Sequence, residues 1–175
     1  MSNNTITAAK GFKAAGVNCG VKKSGNKDIA IVVCPDGAKA AAVFTTNKIV
    51  SAAVTICKEH IKTAKINAAV INSGNANACT GNKGLKDAFA MCQQTAENIG
   101  CKSENVLIAS TGIIGEFLPL DKIKLGIDKA AGSLSNSAKA GLMLLDFSFI
   151  LLTELEISLL ISSSLASVDI SNTNR

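Results

Sequence analysis

An amphipathic segment between two short apolar runs is the feature that most constrains the fold of this chain. In residues 85–99 the apolar side chains recur near a 3.6-residue period, and Gly100 follows as a residue able to end a helix in the left-handed conformation. The runs at residues 68–71 and 106–109 are apolar and bounded by polar residues, as buried strands are. The succession of strand, helix and strand predicts a layered α/β unit.

Other runs extend this prediction. Residues 28–34 form an apolar run closed by a Pro-Asp-Gly turn signal, and residues 40–45 and 52–56 are rich in Ala and β-branched residues, so each indicates a strand. Residues 122–131, just after a proline, indicate a second helix. The order is mostly strands first and then helix, strand and helix, so the expected fold class is α/β with an α+β layered arrangement.

The composition limits the kind of core. The chain has 175 residues, of which 47% are hydrophobic and only 3% aromatic, with no Trp and no Tyr. A chain of this length suits one domain, and its core has to be assembled from Ala, Val, Ile and Leu side chains.

Lysines spread over residues 10–139 supply most of the net charge of +5. They form no basic run and have no interleaved aromatic residues for stacking on bases, which argues against a nucleic-acid-binding protein. A positive surface favours small acidic substrates, although a solvated lysine-rich face is the commoner explanation.

Six cysteines accompany a single histidine, His60, and no two cysteines have the Cys-x-x-Cys spacing of a zinc site. We therefore expect no metal and interpret the cysteines as small buried side chains. The N-terminal segment is polar and lacks the apolar stretch of a secretory signal. Together these features predict a cytoplasmic protein with free thiols.

The composition changes near residue 140. Every lysine lies at or before Lys139, and the following segment is rich in Leu, Ile and Ser. Residues 142–161 are long enough to cross a bilayer but include acidic residues such as Asp146. Because an acid near the bilayer centre costs about 2.5 to 3.5 kcal/mol, we expect no spanning segment, and peripheral membrane attachment is left as a minor alternative.

Two motifs have side chains suited to chemistry. Residues 72–81 read NSGNANACTG, in which small residues permit close backbone approach and three amides offer donors and acceptors without charge. Residues 109–115 read ASTGIIG and leave a predicted strand in a polar turn, which is suited to aiming a hydroxyl and a backbone N–H at one oxyanion. Taken alone, each motif is also consistent with an ordinary turn.

His60 follows Cys57, Lys58 and Glu59 in what we interpret as a short surface helix. A nucleophilic pair with Cys57 or Cys79 is conceivable, but no spacing supports it. We expect a solvated histidine without a catalytic role.

Segments of the chain occur in the same order in ornithine acetyltransferases, which are glutamate N-acetyltransferases. They are KGFKAAGV at residues 10–17, AVFTTN at 42–47, NSGNANACTG at 72–81, GLKDA at 84–88, STGIIG at 110–115 and LPLDKI at 118–123. The resemblance covers residues 10 to about 140, and the unbroken string at 72–81 is highly specific. The chain resembles the N-terminal, α-chain half of this family.

The resemblance implies half of an αββα sandwich that a β-chain completes, in an enzyme of two α and two β chains. Members transfer the acetyl group of N-acetylornithine to glutamate in arginine biosynthesis, and some also acetylate glutamate from acetyl-CoA. The precursor cuts itself between Ala and Thr, and the freed threonine of the β-chain attacks the acetyl carbonyl. The resemblance implies no cofactor, no nucleic acid and no membrane partner.

The resemblance also implies roles for particular residues. Thr111 and Gly112 match the family positions that stabilise the oxyanion formed during acyl transfer. The substrate loop is expected in residues 72–81, and its candidate residues are Asn72, Gly74, Asn75 and Asn77.

The family pattern is not found beyond residue 140. Where the family has an Ala-Ile-Met-Thr-Thr-Asp-Thr string, residues 140–147 read AGLMLLDF, and no later Ala-Thr pair is present to be cut. We therefore divide the chain into an incomplete acetyltransferase-like domain at residues 1–140 and a tail at 141–175. Our hypothesis is that the reading frame shifts near codon 140, and the alternative is that the tail is a genuine ending.

Without the nucleophilic threonine, the chain is expected to be inactive alone. The alternative is a non-catalytic binding or assembly subunit that holds N-acetylornithine or glutamate.

Overall fold

The computed structural model describes residues 6–136 and 160–162, in which three helices pack against a mixed sheet. The strands are β1 (Lys13–Val17), β2 (Ile29–Ala41), β3 (Ile66–Asn75), β4 (Val106–Ile113) and the short β5 (Leu160–Ser162). The helices are α1 (Ala52–His60), α2 (Gly81–Ile99) and α3 (Leu120–Gly132), with 3-10 turns at Ile6–Ala8 and Ser103–Asn105. The expected α/β fold class is confirmed. Apart from β5, the predicted tail at 141–175 lies outside the described residues.

The strands are arranged in the order β1, β2, β3, β4, with β5 paired to the far end of β2. The β1–β2 and β2–β3 pairs are antiparallel, whereas β3 and β4 are parallel and α2 connects them. Parallel strands need such a crossover, and it makes both strands end at the same edge of the sheet.

The main core contains alternate residues of β2 and consecutive buried residues of β3 and β4, packed with residues of the helices. Its fully buried side chains are aliphatic or sulfur-containing, as the composition predicted, and include Ile29, Ile31, Val70, Met91, Ile108, Ile123 and Ile127. A smaller buried cluster of Phe12, Val32, Cys34 and Ala38 contains residues of β2 that alternate with those of the main core. The sheet is therefore apolar on both faces.

The two predicted helices are confirmed. Helix α2 begins at Gly81, four residues before the predicted start. It ends at Ile99 and is capped by Gly100, whose φ of 75° is left-handed. The Gly100 N–H donates to the Ala96 carbonyl at 2.9 Å. The second runs over Leu120–Gly132, close to the predicted 122–131.

The predicted strand at residues 52–56 is wrong, because this segment is the start of α1. Ser51 caps the helix by accepting the Val54 N–H at 3.5 Å. The buried residues Ala53, Val54, Cys57 and His60 recur at helical spacing. Packing of that face against the sheet outweighs the β preference of a few branched residues.

The predicted strand at residues 40–45 is also largely wrong. Strand β2 does not stop at the Pro-Asp-Gly signal but continues to Ala41, and its register with β3 shifts between Val33 and Ala38. Gly37, with a φ of +73°, supplies the left-handed residue of this bulge. A turn signal inside a paired strand thus forms a bulge instead of reversing the chain.

Strand β1 was not predicted. Its residues Ala14 and Ala15 are both buried, so no polar and apolar alternation marks it in the sequence.

Candidate active site

Two loops leave the sheet side by side at the carboxyl ends of β3 and β4. The amide loop, residues 72–81, leads from β3 into α2, and the exit turn, residues 110–117, leads from β4 towards α3. Because β3 and β4 are in register, Gly74 lies opposite Gly112. The structure therefore brings together the two motifs that sequence analysis singled out, at the edge where α/β sheets usually bind ligands.

Main-chain hydrogen bonds join the two loops. The Ala76 N–H donates to the Ile113 carbonyl and the Gly115 N–H donates to the Ala78 carbonyl, each at 2.9 Å. These two bonds restrain each loop against the other.

Asn75 adds side-chain bonds to this junction. Its Nδ2 donates to the carbonyls of Glu116 and Phe117, both at 3.2 Å, and its Oδ1 accepts the Asn77 N–H at 2.8 Å. Only 4% of Asn75 is exposed. This predicted substrate residue is therefore engaged inside the protein.

Asn77 and Asn72 are likewise buried. Asn77 donates from Nδ2 to the Gly84 carbonyl and accepts the Thr80 hydroxyl at Oδ1, both at 2.8 Å. Asn72 donates from Nδ2 to the Asn75 carbonyl at 2.8 Å. The amides of these candidates hold the loop in shape, and their contact with substrate stays a prediction.

Gly74 and Gly112 approach each other more closely than any other residue type permits. A Cβ on Gly112 would lie 2.3 Å from the Gly74 carbonyl carbon, and its φ of +132° disfavours side chains. Gly74 has a φ of +105°, and a Cβ there would lie 3.0 Å from Val21 and 3.2 Å from the Lys22 side chain.

The predicted oxyanion residues lie within reach of solvent. Thr111 is half-buried and Gly112 is exposed, whereas Ser110 immediately before them is buried. Thr111 pairs with Ser73 and Asn75 in the sheet, and this pairing holds Thr111 beside the amide loop.

Buried oxygens without a hydrogen-bond partner cluster at the same strand ends. Within the described part of the chain these atoms are Asn72 Oδ1, Ser73 Oγ and Ser110 Oγ. Asn72 and Ser110 are register neighbours. Unpaired buried polar atoms are costly and concentrate at functional sites. Ser73 and Ser110 were not among the predicted site residues; in the sequence, each is a hydroxyl residue at the end of an apolar strand, just before a glycine or a threonine.

Asp28 organises the hairpin between β1 and β2, which flanks this edge. Its carboxylate accepts the N–H groups of Cys19 and Val21 at 2.7 Å and of Lys22 at 3.0 Å, and its carbonyl accepts the Ser73 N–H at 2.9 Å. Burial raises the pKa of the Asp28 carboxyl, but the N–H donors more than offset this, so the pKa lies below 3.8.

Lysines surround the edge. Lys22 lies in the hairpin and Lys122 donates to a hairpin carbonyl at 3.2 Å. Lys83 lies 5.2 Å from the centre of the Phe117 ring and forms a 2.6 Å ion pair with Asp87. Because Asp87 balances the Lys83 charge, the positive charge on the hairpin side of the edge comes from Lys22 and Lys122.

The expected surface position of His60 is wrong. His60 is 7% exposed, and its Nδ1 lies 2.7 Å from the Val106 carbonyl, because α1 packs against β4. Cys57 is buried, and its Sγ lies 3.1 Å from the Ile108 carbonyl. Burial raises the pKa of the Cys57 thiol to about 11. The two residues do not form a nucleophilic pair, and exposed Cys79 lies in the amide loop.

Among residues 6–136 and 160–162, no cluster of His, Cys, Asp and Glu has the grouping needed to hold a metal ion. In the same residues, no helix has the length and hydropathy required to cross a membrane.

Comparison with known proteins gives consistent matches. A sequence model of the ArgJ family matches residues 13–154. The arginine biosynthesis bifunctional protein ArgJ of Streptomyces coelicolor is 45% identical over 132 residues, which are 75% of this chain and 34% of that protein. ArgJ of Caldanaerobacter subterraneus is 48% identical over 130 residues, which are 74% of this chain and 32% of that protein. The chain thus spans about a third of the length of the curated relatives it matches.

Solved structures share the fold. The crystal structure of ArgJ from Bacillus halodurans superposes with a TM-score of 0.76 at 39% identity, over 81% of this chain and 73% of that chain. The ornithine acetyltransferase of Mycobacterium tuberculosis, solved in complex with ornithine, superposes with a TM-score of 0.77 at 33% identity. The match covers 82% of this chain and 77% of that chain.

Proposed function

Because the chain belongs to the ArgJ family, we propose that it carries part of the active site of an acetyltransferase of arginine biosynthesis. The reaction moves the acetyl group of N-acetylornithine to glutamate. The observation that carries the proposal is the register of β3 and β4, which brings the accessible Thr111–Gly112 segment against the amide loop.

In this proposal Thr111 and Gly112 stabilise the oxyanion. A threonine hydroxyl from a β-chain adds to the acetyl carbonyl, whose oxygen becomes negative. The C–N bond to ornithine then breaks, the amine takes the proton, and the acetyl group remains as an ester on the threonine. The glutamate amine attacks that ester to give N-acetylglutamate and restore the hydroxyl. Loss of one oxyanion donor costs about 2.7 to 4 kcal/mol in other enzymes.

The surroundings support an amino-acid substrate. Lys22 and Lys122 lie near the edge and favour the carboxylates of glutamate and N-acetylornithine. Among the candidates of the amide loop, Asn72 retains an unpaired Oδ1, and Gly74 is only partly buried. We infer that these two approach the substrate most closely.

A β-chain partner and an assembly of two α and two β chains belong to the same proposal. The chain covers about a third of the curated relatives but 73% and 77% of the two solved chains, so those solved chains are shorter. Such a difference is expected if the precursor is cut in two. The six free thiols within the described residues support a reducing cytoplasmic compartment.

The divided chain, with residues 1–140 as acetyltransferase-like domain and a frame-shifted tail, also remains a proposal. The family match extends to residue 154. The test is therefore to read the other two frames of the gene from codon 140 through codon 154 and beyond. If neither frame encodes the Thr-Thr-Asp and Ala-Thr strings, the frameshift proposal fails.

Reconstitution tests the function. The 175-residue chain, alone and mixed with a β-chain of this enzyme type, is assayed for acetyl exchange between N-acetylornithine and glutamate. We expect exchange only in the mixture, and a fall in kcat of about 10²- to 10³-fold for Thr111→Ala.

Thr63→Ala is the matched control, because Thr63 is also half-buried but lies in the turn that precedes β3, away from the amide loop. Exchange by the chain alone would overturn the expected inactivity. Ligand binding in the mixture without exchange would favour the non-catalytic subunit.

A further inference from the structure

Both polar atoms of the Asn75 side chain are engaged within the protein. Its Nδ2 carries two hydrogens, and both face main-chain carbonyls, those of Glu116 and Phe117. Its Oδ1 accepts the Asn77 N–H. Because the residue is also almost completely buried, its amide acts on the protein and not on a ligand.

The segment that Asn75 holds is poorly anchored by burial. Ile113 is 56% exposed, Ile114 48% and Phe117 59%, so hydrophobic contacts do little to fix the exit turn. Such a turn depends on its hydrogen bonds for a defined position. The main-chain bond from Ala76 to Ile113 fixes its beginning, the bond from Gly115 to Ala78 holds its middle, and Asn75 fixes its end.

We propose that Asn75 is a positioning residue, whose amide clamps the end of the exit turn and thereby keeps Thr111 and Gly112 aimed at the reacting carbonyl. The catalytic part of this inference rests on the proposed function of Thr111 and Gly112. The clamp itself rests only on the hydrogen bonds of Asn75.

Asn75→Asp tests the clamp with a minimal change of shape. The aspartate keeps an oxygen for the Asn77 N–H but turns a carboxylate oxygen towards two carbonyls, so the bonds to Glu116 and Phe117 are lost.

Asn67→Asp is the matched control. Asn67 lies at the other end of β3 and also donates from Nδ2 to two consecutive carbonyls, those of Cys34 and Pro35, at 3.4 and 2.9 Å. It also keeps an oxygen for a donor, Asn105 Nδ2 at 3.0 Å.

In the reconstituted enzyme, Asn75→Asp is expected to lower kcat about 10- to 100-fold, as a misplacement of about 1 Å does elsewhere, with KM changed less than about threefold. Asn67→Asp should leave kcat within about twofold of the parent. A kcat of Asn75→Asp equal to that of Asn67→Asp would overturn the positioning role.

Hydrogen exchange on the 175-residue chain gives a second readout that needs no activity. The amides of Ala76 and Gly115, which join the two loops, should exchange about 10-fold faster in Asn75→Asp and at the parental rate in Asn67→Asp. Unchanged exchange would overturn the clamp. If the parent enzyme shows no acetyl exchange, the proposed function fails while this measurement still decides the clamp.

If Asn75→Asp does not fold, Asn75→Ser replaces it, because serine is too short to bridge to residues 116–117 but retains an oxygen near the Asn77 N–H. The kcat and the amide exchange rates of Asn75→Ser are then compared with those of Asn67→Ser.

Discussion

Polar side-chain atoms at the strand ends fall into two groups: those bonded within the protein and those without a protein partner in the described part of the chain. Asn75 and Asn77 use their side-chain donors and acceptors within the protein, whereas Asn72 Oδ1, Ser73 Oγ and Ser110 Oγ have no partner in the described residues. A buried oxygen without a hydrogen-bond partner lowers the stability of the folded chain.

Ser110→Ala should therefore stabilise the chain. Removing an unpaired buried hydroxyl is expected to raise the free energy of unfolding by about 1 kcal/mol, measured by urea denaturation. Thr95→Val is the contrast, because the Thr95 hydroxyl is buried but donates to the Met91 carbonyl at 2.8 Å, so its loss should be destabilising. A loss of stability in Ser110→Ala would show that the hydroxyl has a partner.

Asp28 should make stability depend on pH. Its pKa in the folded chain lies below 3.8, so its contribution is present above that pH and is lost as the pH falls through the folded value. Asp28→Asn should lower the free energy of unfolding by about 2 to 3 kcal/mol at pH 7, because a charged acceptor of several N–H groups is removed.

The free energy of unfolding of the parent and of Asp28→Asn is measured by urea denaturation at pH 7 and at pH 3. The difference between the two chains should shrink at pH 3, because the Asp28 carboxyl of the unfolded parent, which has an ordinary pKa, is then largely protonated and the folded state loses its advantage. An equal difference at both pH values would contradict the role of the Asp28 charge.

At the scale of elements, the site depends on the way in which β3 and β4 end. Both strands are parallel and stop at one edge, and each has a glycine there with a positive φ. The backbones of Gly74 and Gly112 can therefore touch, and the amide loop and the exit turn can exchange main-chain hydrogen bonds. Close backbone approach is the physical reason for glycine at both positions.

Gly112→Ala should disrupt this contact. Its Cβ would lie 2.3 Å from a backbone atom that cannot move alone, and alanine also disfavours a φ of +132°. We expect a loss of about 3 kcal/mol in the free energy of unfolding, from overpacking together with backbone strain.

Gly115→Ala provides the control for φ alone. Gly115 has a φ of +83°, but nothing lies within 4 Å of its added Cβ, so only about 1 kcal/mol should be lost. Equal losses in the two variants would contradict the close approach of Gly74 and Gly112.

At the scale of the whole molecule, the core lies between the sheet and its helices. Ala, Val, Ile and Leu side chains supply most of it, and Cys57 and Cys92 are buried within it. The other cluster, around Phe12 and Val32, is smaller. The second layer implied by the family resemblance would extend burial on that side of the sheet.

Thiol reactivity reports this burial across the molecule. Burial raises the pKa of Cys57 to about 11 and also raises the pKa of Cys92, whereas Cys79 is exposed in the amide loop. Iodoacetamide at pH 8 should therefore label Cys79 in the folded chain and leave Cys57 and Cys92 unlabelled until urea is added. Mass spectrometry of the peptides measures this, and labelling of Cys57 as fast as Cys79 in the folded chain would contradict the described core.

The sequence by itself determined the helices at α2 and α3, the β3 and β4 strands and the α/β class, because periodicity and Gly100 are local signals. It also singled out both loops of the site from their small and polar residues. It misassigned residues 52–56, where β-branched residues occur in a helix that is held by a serine cap and by packing.

Only the tertiary structure decided how the site is built. The burial of His60, the bulge in β2 and the separate roles of Asn72, Asn75 and Asn77 depend on partners that are distant in sequence or on hydrogen-bond geometry. An asparagine in a glycine-rich loop has the same local signal whether its amide meets a ligand or a carbonyl across the sheet edge. The difference lies in the parallel register of β3 and β4, which no local pattern specifies.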